Sequence, residues 1–121
     1  MWRGLIAGIA IVAATVGGLW AQTPAAKKAY IVVQSEVTNP EQYAGYAKLT
    51  PAIIEQYGGR FLARGGRNGT LEGPKAPARV VVLEFPSYES AQSFYNGPEY
   101  TAARKLRAGA ATMQIVLVEG M

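Results

Sequence analysis

The sequence predicts an α+β domain of the ferredoxin-like kind. In it a β-α-β-β-α-β chain forms a four-stranded antiparallel sheet with both helices on one face. Three observations carry this reading. Four short runs, YIVVQSE, GRFLAR, RVVVLEF and TMQIVLV, are rich in β-branched and apolar residues and bounded by turn residues. Two longer stretches, one after the first run and one after the third, carry apolar residues at three- and four-residue steps. The 121 residues suffice for one domain, and with 50% of them hydrophobic against 17% charged the chain can bury a core.

The chain begins with the short basic start Met1-Trp2-Arg3, followed by the uncharged run from Leu5 to Trp20. Polar, proline-containing sequence comes next at Gln22-Thr23-Pro24. That is the plan of a secretory signal peptide, with residues 1–21 removed by cleavage after Ala21. The run is slightly shorter than the ~20 residues a spanning helix needs. An uncleaved anchor is the alternative, and only in that case is a membrane a partner. Residues 22–29 read as a tether and residues 30–121 as the domain. The expected location is the periplasm or the exterior.

In the domain, Tyr30–Glu36 is the first strand. Asn39 is placed to cap the following helix, Pro40 suits its first position, and Gln42 has capping-box spacing. Tyr43, Ala47, Thr50, Ile54 and Tyr57 make one buried stripe, interrupted by Pro51, and Gly58 ends the helix. Gly59–Arg64 is the second strand, and Thr70-Leu71-Glu72 is expected to resume its pairing. Arg79–Phe85 is the third strand. Ser87 caps a helix through Tyr95, Asn96-Gly97-Pro98 breaks it, and Glu99–Arg107 forms a further helical piece. Thr112–Val118 is the last strand.

Composition removes much chemistry. The chain has no cysteine and no histidine, and all eight acidic residues are glutamate. Disulfides, thiol nucleophiles, His-based triads, histidine-ligated haem and the usual zinc ligand sets are therefore excluded. No metal and no cofactor is expected. The net charge of +4 is mild and scattered, which argues against a nucleic-acid partner. Arg104, Lys105 and Arg107 are expected to form a solvated helix end.

Strand alternation leaves a second sheet face that the helices do not cover, bearing Val32, Leu62, Val80, Val82, Val116 and Val118. An apolar face of that size is expected to pack on a second copy of the chain, as stacked sheets do, giving a homodimer. The same alternation puts one polar residue from each strand on this face, Gln34, Arg64, Glu84 and Gln114. Arg64 and Glu84 are expected to be diagonal neighbours. They form either a structural ion pair or a site in which Arg64 holds an anionic or carbonyl group and Glu84 acts as base. Tyr95 and Tyr100, beside the broken helix, complete the candidate ligand-binding set.

The runs YGGRFLARGG, LEG, RVVVLEFPS, SFYNGPEY and VLVEG resemble the family known as domain of unknown function 1330, over about Tyr30 to Gly120. The matching positions are Tyr43, Gly58, Gly59, Arg64, Gly65, Gly66, Glu84, Phe85, Pro86, Ser87, Tyr95 and Tyr100. The resemblance implies a dimeric α/β-barrel protein. Members are usually short and lack a leader, so the N-terminal segment here is a departure. The wider superfamily includes cofactor-independent monooxygenases, small-ring isomerases and haem enzymes. The resemblance thus implies a fold more than a chemistry. Three functions stay open: a binder of a small organic molecule in a barrel or helix–sheet cleft, a cofactor-independent enzyme on a small aromatic or carbonyl compound, and a purely structural envelope protein.

Overall fold

A computed structural model describes residues 26–121. The expected signal segment, residues 1–21, lies outside the described residues. Among the described residues 26–121 no helix is long and apolar enough to cross a membrane. The elements run β1 (Ala29–Val37), α1 (Pro40–Gln56), β2 (Arg60–Arg64), β3 (Arg79–Phe85), α2 (Tyr88–Asn96), α3 (Pro98–Leu106) and β4 (Ala111–Glu119). The sheet is antiparallel with strand order β2-β3-β1-β4. This is the expected architecture, with the second helix divided in two.

The central strands set the layers. Val33 of β1 faces Val81 of β3 on one side and Ile115 of β4 on the other. Ile31, Val33, Val81, Leu83 and Phe85 are buried under the helices, which contribute Tyr43, Tyr46, Ile54, Ala91, Phe94, Tyr100 and Ala103. Phe94 stacks between Phe85 and Tyr100 at ring-centroid distances of 5.1 and 4.5 Å, joining sheet, α2 and α3.

Local chemistry explains the helix ends. The Asn39 side chain accepts from the backbone N–H of Gln42 at 3.2 Å, as its capping position predicts. Gln42 Oε1 accepts from the Asn39 side-chain amide at 3.4 Å, while the backbone N–H of Asn39 donates to Ala110 O instead. The Gln42 amide donates to the carbonyls of Leu106 and Ala108 at 3.1 and 2.8 Å, closing the far end of α3. Ser87 and Ser90 cap α2 reciprocally, each accepting from the other's backbone N–H. Gly58, with φ +81°, ends the turn after α1. A Cβ on Gly59 would stand 2.6 Å from Phe85 and 2.9 Å from Ile54, so this glycine is needed for close packing.

Two sequence expectations are corrected. Thr70-Leu71-Glu72 forms no strand; the whole segment from Gly65 to Ala78 is an irregular exposed loop, and Leu71 is fully exposed. Its glycines and prolines resist pairing, and its ties are local. Asn68 donates to Ala78 O at 3.0 Å, and Thr70 Oγ1 accepts from Ala76 N at 2.7 Å.

The second correction is a β-bulge in β2. Phe61 pairs with Leu83, whereas Ala63 pairs with Val82 and Arg64 with Val81. Leu62 is the extra residue. Strict alternation put Arg64 on the open face; the bulge turns it to the helix face beside Phe61. The open face is left with Tyr30, Val32, Gln34, Val80, Val82, Glu84, Gln114, Val116 and Val118, and the last two are 47% and 50% exposed.

Candidate functional site

A narrow cleft opens between α1 and the sheet. Its floor is Ile31, Val33, Val81, Met113 and Ile115, and its walls include Phe61 and the tyrosines Tyr43, Tyr46, Tyr95 and Tyr100. Arg64 and Arg79 also line it. The free volume inside is about 40 Å³, far below the ~300 Å³ of a drug-sized pocket and enough for a short molecule or ordered water.

Each polar group is there for a local reason. Pro51 lies inside α1 and has no N–H for the carbonyl of Ala47. That oxygen instead accepts from Thr50 Oγ1 at 3.2 Å and from Arg64 Nη2 at 3.3 Å. Arg64 reaches it by lying over the Phe61 ring, 4.5 Å from the centroid, which the bulge makes its neighbour. Arg79 starts β3 on the same face, opposite Ser35. It packs over Gly65, whose φ of +62° and missing Cβ leave room for the guanidinium. The buried Nε of Arg79 has no hydrogen-bond partner, nor has the Oγ of Ser35, which is completely buried.

At the inner wall, the hydroxyls of Tyr46 and Tyr100 meet at 2.6 Å. Burial, reinforced by Tyr100, pushes the Tyr46 phenol far above its ordinary value, so it is a neutral hydroxyl at any physiological pH. Arg104 stacks on Tyr95 at 4.4 Å and Arg107 on Tyr46 at 5.0 Å. The expected solvated helix end is therefore only partly so: Lys105 is exposed, while Arg104 and Arg107 are half-buried with their Nε atoms enclosed by aromatic rings.

The structure divides the sequence-derived candidates. Arg64, Tyr95 and Tyr100 line the cleft. Gln34 and Gln114 face each other across β1 and β4 on the opposite side of the sheet. Glu84 is also on that opposite side, and its carboxylate pairs with Arg60 at 2.9 Å and Lys28 at 3.5 Å. The hydrogen bond from Arg60 holds its pKa below the ordinary carboxylate value. The expected Arg64–Glu84 neighbourhood is thus absent, because the bulge puts a whole sheet between them. Arg79 and Tyr46 were missed as site residues. Arg79 shares the parity of Val81, Leu83 and Phe85, and Tyr46 completes a 43-46-50-54 stripe, so both signals were present in the sequence.

Comparison with known proteins places this geometry. The model of the domain of unknown function DUF1330 matches residues 28–121. The chain belongs to this family. No curated protein matches it. Among solved structures, a protein of unknown function from Rhodopseudomonas palustris superposes with a TM-score of 0.64 at 19% identity, over 88% of this chain and 92% of the other. SnoaB, a cofactor-independent oxygenase from Streptomyces nogalater, gives 0.57 at 12% identity, over 79% and 95%. A dimeric ferredoxin-like protein of unknown function from Thermobifida fusca gives 0.56 at 13%, over 78% and 94%. At these identities the likeness is one of fold, and it agrees with the ferredoxin-like α+β architecture described above.

Proposed function

We propose that this DUF1330 domain is a binder of a small organic molecule, held in the cleft between α1 and the sheet. The observation that carries this reading is Arg64 turned by the bulge into an aromatic-walled cleft where no carboxylate neutralises it; among the described residues, both salt bridges belong to Glu84 on the other face. Arg64 lines the cleft yet is itself exposed, so its guanidinium is open to an incoming counter-group. Binding is favoured over enzymatic catalysis because the groups lining the cleft are arginine, tyrosine, threonine and apolar side chains. A proton-abstracting base there would have to be a phenolate, and the raised pKa of Tyr46 opposes that. A role confined to envelope architecture leaves the cleft unexplained.

The domain acts as a homodimer through its open sheet face, in keeping with the dimeric fold neighbour, and works in the periplasm or outside the cell after loss of residues 1–21. A fragment collection screened by amide NMR tests the binding reading. Hits should shift resonances of Ala47, Arg64, Val81 and Tyr100 together. Hits that map only to the open face or to the 65–78 loop would remove the cleft as the site.

A further inference from the structure

Resting on the reading of the cleft as a binding site, we propose that its ligand is a small monocarboxylate. The carboxylate lies between Arg64 and Arg79, and a short apolar tail points toward the Tyr46–Tyr100 pair. The two arginines come from adjacent strands and share one face. Arg64 stands opposite Val81, and Arg79 is two residues from Val81 on the same strand. Such diagonal neighbours lie on the order of 7–8 Å apart at the backbone, a spacing that long side chains close easily around one small anion.

Among the described residues neither arginine forms a salt bridge. A guanidinium has five N–H donors. Arg64 uses one of them on Ala47, and Arg79 has a buried Nε with nothing to donate to. Arg64 and Arg79 both line the cleft, no carboxylate is among its lining residues, and a planar carboxylate accepts from such forks in pairs. Deeper in, the Tyr46–Tyr100 contact consumes one hydroxyl hydrogen and leaves the other free for a ligand oxygen or a water.

Size and polarity narrow the class. About 40 Å³ of free volume admits a tail of a few carbons. The apolar floor of Val81, Met113 and Ile115 suits that tail and would penalise a more strongly hydrated dianion such as phosphate.

The test compares butyrate with its neutral isostere butyramide, by NMR titration of the purified protein at neutral pH, with acetate and benzoate as size probes. Butyrate should bind about tenfold or more tightly than butyramide, since only it offers charge-assisted hydrogen bonds. Raising the salt concentration should weaken butyrate alone. Arg64→Gln and Arg79→Gln, each checked for an unchanged fold by circular dichroism, should weaken butyrate about fivefold or more and leave butyramide unaffected. Equal binding of acid and amide to the wild-type protein overturns the carboxylate while leaving the cleft as a binding site. Failure of every probe to shift cleft resonances overturns both. The wild-type comparison decides the matter even where a variant does not fold.

Discussion

Arg64 donates from Nη2 to the carbonyl oxygen of Ala47 at 3.3 Å, and that oxygen is free because Pro51, four residues further along α1, has no N–H. The proline therefore has a consequence outside its own helix. It presents a backbone acceptor at the cleft, where Thr50 and Arg64 meet it. Pro51→Ala should restore the helical hydrogen bond to Ala47 and stabilise the domain by about 1–3 kcal/mol, the scale of an interior proline penalty. Calorimetric melting measures the gain. The substitution should also loosen Arg64, read as a change in its side-chain NMR signal. A variant less stable than wild type would mean that the proline fits this helix without cost.

Gly65 and Gly66 are adjacent and alike in sequence, yet they should respond oppositely to alanine. Gly65 has φ +62°, and a Cβ there would lie 2.6 Å from Arg79 Nη1. Gly65→Ala should cost about 1–2 kcal/mol in strain and push the Arg79 guanidinium out of the cleft. At Gly66 an added Cβ meets nothing within 4 Å, so Gly66→Ala should stay within about 0.5 kcal/mol of wild type. Denaturant midpoints of the pair settle the contrast. Equal effects would show that Arg79 does not pack on Gly65.

The bulge marks the limit of what the sequence could tell. Strand periodicity located all four strands and assigned β1, β3 and β4 to their faces correctly, because a period of two holds along an unbroken ladder. In β2 the extra residue, Leu62, has no signature of its own; Gly59 and Gly65 flank it without revealing it. One inserted residue reverses every later side chain, so the prediction failed at Arg64, the residue on which the site depended. Tyr95 and Tyr100 were legible as cleft residues because the Gly97-Pro98 break is written in residue types. Arg79 was legible by parity but overlooked as a strand terminus.

The ion cluster at Glu84 makes a pH prediction. Arg60, through its hydrogen bond and charge, and then Lys28 hold the folded-state pKa below the ordinary value of 4.5. A depressed carboxylate contributes stability that is fully present above the unfolded pKa and lost as pH falls through the folded one. Melting temperature should therefore decline below about pH 4.5. Glu84→Gln should flatten that decline without removing it, because Glu99 is lowered too, by its own backbone N–H and by Tyr57. An unchanged pH slope in Glu84→Gln would show that the cluster is solvated and contributes nothing.

The Tyr46–Tyr100 pair suits a double-mutant cycle. Removing either hydroxyl strands the other in a buried place, so Tyr46→Phe and Tyr100→Phe should each cost about 1–2 kcal/mol. The double variant should cost less than the sum, with a coupling of about 1 kcal/mol, since an all-apolar pair leaves nothing unsatisfied. Strict additivity would mean that each hydroxyl has found another partner, such as a trapped water.

The open sheet face gives the last prediction, and its logic runs from side-chain chemistry to assembly. Val116 and Val118 stand half-exposed beside Val32 on β1, with Val82 beyond it on β3, so the centre of the sheet presents a continuous β-branched surface. Burying such a surface is worth roughly 25 cal/mol per Å² of apolar area. A face shared by two copies therefore repays association, whereas isolated exposed valines would not. Val116→Lys places a charge on this surface opposite Val32, and the Glu84 carboxylate lies two strands away on β3, opposite Tyr30. Light scattering coupled to size exclusion should give a dimer for the wild-type protein at micromolar concentration and a monomer for Val116→Lys. Circular dichroism should remain unchanged, because the substitution touches the face away from the helices. A wild-type monomer would overturn the dimer, and a Val116→Lys dimer of undiminished affinity would place the interface elsewhere.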